Sequence, residues 1–183
     1  MEGLDFASEL NSNMIIVAND NDMSIAENHG GLYGNLKLLR ETNGQAECNL
    51  FKAMNLDYIY VDKGNDIASL IEAFEKVKDT KKAVVVHINT LKGKGYAPAE
   101  QNKEKWHWHM PFDIATGESL FKDEEPDFSD ASLEYLLKKM DEDKSVVAIT
   151  AGTPTVMGFT ADMRAKAGNS LLMLVSQRKL LLH

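Results

Sequence analysis

The sequence is short of the features that mark secreted, membrane-spanning and nucleic-acid-coating proteins. One cysteine, Cys48, stands among 183 residues. No internal disulfide can form, and a cytoplasmic location is the expectation. Basic residues are few, with 20 Lys plus Arg against 28 Asp plus Glu and a net charge of -8. That balance argues against nucleic acid or an anionic membrane as a partner. Apolar stretches such as residues 83–86 and 171–175 fall far short of the roughly 20 residues that cross a bilayer. The first residues lack the basic start and apolar run of a secretory signal. Aromatic residues make up only 8%, yet 44% hydrophobic and 26% charged residues is the balance of an ordinary globular domain, which excludes disorder and fibrous structure.

What is present has the rhythm of an α/β fold. Residues 13–20 form a short apolar run closed by turn formers, which predicts a strand buried on both faces. Residues 2–10 carry Leu4, Phe6, Ala7 and Leu10 at helical spacing, as at the back end of a helix. A polar loop is expected after the first strand, then a helix over 45–54. A short strand comes next at 58–61, then a helix over 66–78 with Ile67, Leu70, Ile71, Phe74 and Val77 facing inward. A second continuous apolar strand is expected at 83–88. Strand and helix alternating in this way predict a parallel sheet flanked by helices. Residues 89–130 hold six Gly or Pro residues and few periodic apolar positions, and loops of that length are usually functional or linkers. An acidic stretch at 123–130, a helix at 129–140 and a third buried-type strand at 145–150 complete the pattern. A domain boundary is expected near residue 125, and the chain beyond it is too short for a complete second α/β domain.

Three clusters carry chemistry. Asn19, Asp20, Asn21, Asp22, Met23 and Ser24 close the first strand, where ligands of parallel sheets collect. Their oxygens suit a hard cation such as magnesium, and equally a solvated acidic turn. An EF-hand fails, since position six of a loop begun at Asp20 is Ile25 and position twelve is Gly31. The second cluster, Thr90-Leu91-Lys92-Gly93-Lys94-Gly95-Tyr96, lies directly after a buried strand. Its glycines and lysines suit a phosphate contact or a flexible basic loop, and its spacing is neither that of a P-loop nor that of a dinucleotide fold. The third is Trp106-His107-Trp108-His109. Its imidazoles suit acid–base work, a metal, or an aromatic surface loop; further zinc ligands are not nearby, and no nucleophile elbow occurs.

In this order the clusters resemble 1-deoxy-D-xylulose-5-phosphate synthase, a transketolase-like family of thiamine-diphosphate enzymes. Residues 19–25 with Glu27, Asn28 and Gly30 resemble the family's magnesium and diphosphate segment. His87-Ile88-Asn89-Thr90, Lys92 to Tyr96 and Pro98-Ala99-Glu100 resemble a second block. Aligned from Phe112-Asp113, His107 falls on the active-site histidine, with His109 as the alternative if the loop shifts. The resemblance covers residues 1 to about 165. It implies a partial thiamine-diphosphate-binding fold, with residues 1–122 as the C-terminal part of the diphosphate-binding domain and its active-site loop. A linker and helix would occupy 123–144, and the pyrimidine-binding domain would start at 145–168. The implied roles are magnesium ligation by the Asn21 side chain and the Met23 carbonyl, a pocket lined by Ser24, diphosphate faced by Lys92, and proton movement at substrate by His107. The implied cofactors are thiamine diphosphate and Mg2+, the implied reaction the condensation of pyruvate with glyceraldehyde 3-phosphate in isoprenoid precursor and thiamine biosynthesis, and the implied assembly a homodimer.

The departures set further expectations. Neither the family's Gly-Asp-Gly nor its catalytic glutamate segment occurs in the sequence. The chain therefore resembles a truncated fragment of a transferase, expected to be inactive alone; the alternatives are a non-catalytic remnant and one part of a split transketolase-like enzyme. Residues 169–183 break the family pattern. One permitted set of codons for them, read two bases later, gives Phe-Val-Val-Asp-Val-Gly-Ile-Ala-Glu-Glu, which resembles that glutamate segment, so a frameshifted tail is expected.

Overall fold

Apolar runs in the N-terminal half become parallel strands because each is short, β-branched and joined to the next by a helix that returns the chain to the start of the sheet. In the computed structural model, which describes residues 2–10, 12–121 and 126–174, helix α1 (Glu2–Glu9) leads into strand β1 (Ile15–Asp20). Helices α2 (Gly31–Glu41) and α3 (Leu50–Ala53) precede β2 (Asp57–Val61). Helix α4 (Ile67–Val77) precedes β3 (Val84–Asn89), and the short helix α5 (Ala97–Gln101) comes after it. The sheet order is β1-β3-β2, wholly parallel, with Val17 opposite Val86 and Val86 opposite Ile59. The strand completed last in sequence therefore lies in the middle. Its burial matches that place, since Val84, Val85, Val86 and His87 are all buried.

The alternation of side chains along β3 divides the core into two layers. Val85 packs with Leu39, Phe51, Leu56 and Ala83 under α2 and α3. Val84 and Val86 pack with Val61, Ala73 and Val77 under α4. Side-chain caps fix where the helices begin: Asp66 accepts from the Ser69 amide at 2.8 Å, and Asn49 accepts from the Phe51 amide at 3.0 Å. Such caps satisfy amides that the helix itself leaves unpaired.

Four expectations need correction. The segment expected as a polar loop contains α2; its Leu36 and Leu39 reach the core, but Gly31 and Gly34 and many polar neighbours hide that stripe. The helix expected over 45–54 shrinks to α3. Within α4 the inward face is Leu70, Ala73, Phe74 and Val77, while Ile67 and Ile71 are 73% and 59% exposed. Strand β1 is not buried on both faces: among the described residues it pairs with β3 alone, at the sheet edge, and Val17 is 48% exposed.

Ile67 and Ile71 form one stripe at i, i+4 spacing, and Val17 shares a sheet face with Ile15, which packs on the α4 side. Uncovered apolar surface beside an unpaired strand edge favours association. The polypeptide is expected to self-associate at about tens of micromolar, and Ile67→Lys with Ile71→Lys to shift it toward monomer. Sedimentation velocity reads both; an unchanged distribution in the double variant would place the contact elsewhere.

The second compact unit comprises Ser24–His29 and the chain from Glu104 onward. It contains α6 (Phe128–Glu142), β4 (Ala148–Thr150), α7 (Ala161–Ala167) and β5 (Leu171–Met173). A capping box of Asp127 and Asp130 starts α6. β4 pairs in parallel with β5, over a core of Met140, Phe159 and Ala167. The strand expected over 145–150 as buried-type is shorter, and Val147 and Ile149 are about half exposed, because a two-stranded sheet covered on one side leaves alternate residues outside. Residues 123–125 of the acidic stretch and 175–183 of the tail lie outside the described residues. No helix among the described residues is long and apolar enough to cross a membrane.

Candidate functional site

The carboxyl end of β1 delivers Asp20 to a buried position and then turns sharply. The Asp20 carboxylate accepts from the Asp22 amide at 3.0 Å, and the Asn21 side chain accepts from the Met23 amide at 3.1 Å. These are two successive turns in which a side chain replaces a backbone acceptor. Asp22 takes φ 60°, a left-handed conformation that Asp and Asn tolerate better than most residues. The end of β3 is tied to the same place, with the Thr90 amide donating to the Asp20 carbonyl at 2.9 Å and the Thr90 hydroxyl to Asn19 at 2.6 Å.

Under this turn runs a polar chain across all three strands. His87, fully buried on β3, places Nε2 at 2.9 Å from the Asp20 carboxylate and Nδ1 at 2.8 Å from the Tyr58 hydroxyl on β2. A carboxylate only accepts, so Nε2 carries a proton toward Asp20, while Nδ1 pairs with the Tyr58 hydroxyl. Arg40, at the end of α2, adds one guanidinium nitrogen to Asp20 and the other to Asp22. Burial alone would raise the Asp20 carboxyl; the hydrogen bonds from His87 and Arg40 outweigh it and bring the group down to about 2. Burial also pushes the Tyr58 phenol upward, keeping it a neutral donor.

This arrangement divides the first sequence cluster. Asp20 and Asp22, expected to add carboxylate oxygens to a cation site, are both held by Arg40. The Asn21 amide oxygen and the Met23 carbonyl are the neutral hard donors of the turn. Asn21 Oδ1 spends one lone pair on the Met23 amide and keeps a second for a ligand. That donor set fits magnesium only where anionic oxygens come from elsewhere, as from a diphosphate. Among the described residues no group of three or more His, Cys, Asp or Glu could hold a metal.

Beside the turn, at the carboxyl ends of the three strands, lies an open cleft of about 680 Å3. Asn21, Arg40, Gly64, Asn89, Lys94 and Lys103 are among its walls. Gly64 is required there, because a Cβ would lie 2.4 Å from the Asn89 carbonyl oxygen. The lysine segment is not a loose loop. The Lys94 amide donates to the Leu91 carbonyl and the Tyr96 amide to the Gly93 carbonyl, both at 3.2 Å, making two turns that lead into α5. Gly93, at φ 83°, packs so closely on Ala99 that any side chain would collide. Lys94 lines the cleft; Lys92, half-buried, is outside its lining.

Ser24 and His107 belong to the second unit. Ser24 donates to the Asn28 side chain at 2.7 Å. His107 ends a short 3-10 turn, Lys105–His107, with its side chain exposed. His109 instead stacks on Trp106 at 4.7 Å between ring centres and meets Phe112 edge-on at 5.2 Å. Its Nδ1 also bonds the Met110 carbonyl at 2.8 Å. His109 is thus part of the packing of its own loop, and His107 is the more exposed of the two residues. Residues 110–120 close on themselves through a bridge between Phe112 and Ser119 and a turn capped by Asp113.

Arg40, His87 and Tyr58 had no part in the roles implied by the sequence. Arg40 carries no short-range signal, standing 20 residues from Asp20. His87 does: a polar ring inside a continuous apolar strand requires a buried partner.

Comparison with known proteins finds relatives over most of the chain. The 1-deoxy-D-xylulose-5-phosphate synthase family matches residues 1–48 and 42–90. The chain is 32% identical to the 1-deoxy-D-xylulose-5-phosphate synthase of Porphyromonas gingivalis, over 89% of this chain and 32% of that protein. It is 33% identical to synthase 1 of Geobacter metallireducens, over 87% of this chain and 31% of the relative. Identity to the Listeria monocytogenes synthase is 34%, over 91% of this chain and 28% of the relative. The chain thus spans about a third of the length of the curated relatives it matches. Sequence blocks, parallel α/β fold and matched segments lead to one assignment: the chain belongs to the 1-deoxy-D-xylulose-5-phosphate synthase family.

Proposed function

We propose that this chain forms part of the thiamine-diphosphate site of a 1-deoxy-D-xylulose-5-phosphate synthase, a transferase condensing pyruvate with glyceraldehyde 3-phosphate. The observation that carries the reading is the Asn21–Met23 turn at the carboxyl end of β1, whose Asn21 lines a lysine-bearing cleft. In this reading residues 1–122 are the C-terminal part of the diphosphate-binding domain, 123–144 a linker and helix, and 145–168 the start of the pyrimidine domain. The tail, 169–183, is the product of a changed frame, which the nucleotide sequence decides. The enzyme works in the cytoplasm as a homodimer.

The Asn21 side chain and the Met23 carbonyl hold Mg2+, and Ser24 lines the neighbouring pocket. Lys92 faces the diphosphate as a point charge. When bound, thiamine diphosphate supplies the nucleophilic carbon and the electron sink for pyruvate decarboxylation. His107, on its exposed turn, moves a proton at the substrate. Arg40 offsets one of the two negative charges of Asp20 and Asp22, which lessens the repulsion of the incoming diphosphate by the carboxylates of the turn.

Titration calorimetry tests the reading on an assembly of this chain with a polypeptide carrying Gly-Asp-Gly and the glutamate segment. Magnesium-dependent cofactor binding is expected, and Asn21→Ala should weaken it about tenfold to a hundredfold, the loss usual for a disturbed metal site. Equal binding by the variant would remove Asn21 from the site.

A further inference from the structure

The second unit contains an ion-pair cluster outside the cofactor turn. Arg164 on α7 is 8% exposed at its side chain and uses every donor of its guanidinium. Nη1 donates to Glu104 Oε1 at 2.7 Å and to the Phe159 carbonyl at 2.8 Å. Nη2 donates to Glu104 Oε2 at 2.8 Å and to Glu27 Oε2 at 2.6 Å, and Nε to Glu27 Oε1 at 3.2 Å. Five N–H groups meet five acceptors, the full capacity of an arginine. The two carboxylates come from residues 137 and 60 positions away in sequence. Phe159 is part of the buried core, so the cluster is anchored to packed structure.

The sites of attachment give this clasp a purpose. Glu104 immediately precedes the Lys105–His107 turn, and the His107 amide donates to the Glu104 carbonyl at 3.1 Å. Glu27 lies in the Ser24–His29 loop, three residues beyond Ser24. We propose that Arg164 is a positioning residue that holds the His107 turn and the Ser24 loop in register, each through a paired contact to a carboxylate. The proposal rests on the reading of Ser24 and His107 as site residues. A fork that meets two carboxylates with paired hydrogen bonds fixes direction as well as distance, which the point charge of a lysine does not.

The sequence supplies its own reporter. Its two tryptophans, Trp106 and Trp108, flank His107, so tryptophan fluorescence of the full chain reports on that turn alone. Arg164→Ala and Arg164→Lys are both expected to raise acrylamide quenching about twofold, as the segment opens locally, with far-UV circular dichroism unchanged. Millimolar guanidinium should return Arg164→Ala toward the parent value and leave Arg164→Lys unrestored. Glu104→Gln, which keeps the Glu27 contact, should give an intermediate change and guards against a variant that simply unfolds. Parent-like quenching in Arg164→Ala and Glu104→Gln, or full restoration by lysine, overturns the proposal. These readouts need no cofactor. Failure of the functional reading shows separately, as unchanged turnover in His107→Ala of the reconstituted assembly.

Discussion

Replacing Asp20 with alanine is expected to cost about 3–5 kcal/mol of folding stability, the range for removing one partner of a buried ion pair. The groups left behind set the size. His87 is fully buried and would keep an Nε2 proton with no acceptor, while Arg40, 12% exposed, would keep only Asp22. A buried donor left unmatched costs its whole desolvation, whereas the intact bond contributes a smaller net amount. Urea unfolding of the two proteins measures the difference. A loss below about 1 kcal/mol would show that water or Asp22 replaces the carboxylate without penalty.

The same carboxylate gives the effect a pH signature. Its value in the folded chain is about 2, against an ordinary 3.8. A depressed folded value means that the fold favours the ionised form. The stabilisation is therefore complete above the ordinary value and lost as pH falls through the folded one. The stability gap between the parent and Asp20→Asn should accordingly be wider at about pH 7 than at about pH 3. A gap of constant width would assign the loss to packing and hydrogen-bond geometry.

Legibility in the sequence tracks the range of the physical interaction. Residues 84–86 are three valines in a row, and no ordinary surface element tolerates that, so the central strand was legible as a strand. Helix α4 is legible through its apolar stripe, yet that stripe also takes in Ile67 and Ile71, which are exposed. Periodicity marks an apolar face but not whether the chain has anything to lay against all of it. Helix α2 escaped because glycine at 31 and 34 weakens helix propensity and leaves Leu36 and Leu39 to carry the signal. At the site, the turn at residues 21–23 is legible because it is local, made by the Asn21 side chain and the Met23 amide. Arg40 was not, since its pairing with Asp20 exists only after α2 packs on the sheet. The same reason hid Arg164, whose partners are brought to it only by the fold.

The 183-residue polypeptide by itself is expected to bind thiamine diphosphate at least about a hundredfold more weakly than the reconstituted assembly, and not to decarboxylate pyruvate. Magnesium asks for near-octahedral oxygen coordination and dehydrates reluctantly, so it is held by charged oxygens rather than by neutral ones alone. The turn offers two neutral donors, the Asn21 amide oxygen and the Met23 carbonyl. Its carboxylates are turned away, Asp20 into the strand-spanning network and Asp22 onto Arg40. A group that merely orients a metal ligand is worth about tenfold to a hundredfold in affinity, so the lack of a charged ligand supports at least that factor. The lysines of residues 92–94 do not substitute, because point charges neutralise a diphosphate without fixing its geometry. Turnover fails for a separate reason. Activating the cofactor is a proton transfer that needs a positioned carboxylate, and the family's glutamate segment is not among these residues. Calorimetry with magnesium and cofactor, alongside a pyruvate decarboxylation assay, reads both halves. Micromolar binding by the polypeptide alone would mean that the Asn21–Met23 turn suffices to hold the metal; turnover appearing only with the Gly-Asp-Gly and glutamate polypeptide would identify a divided active site.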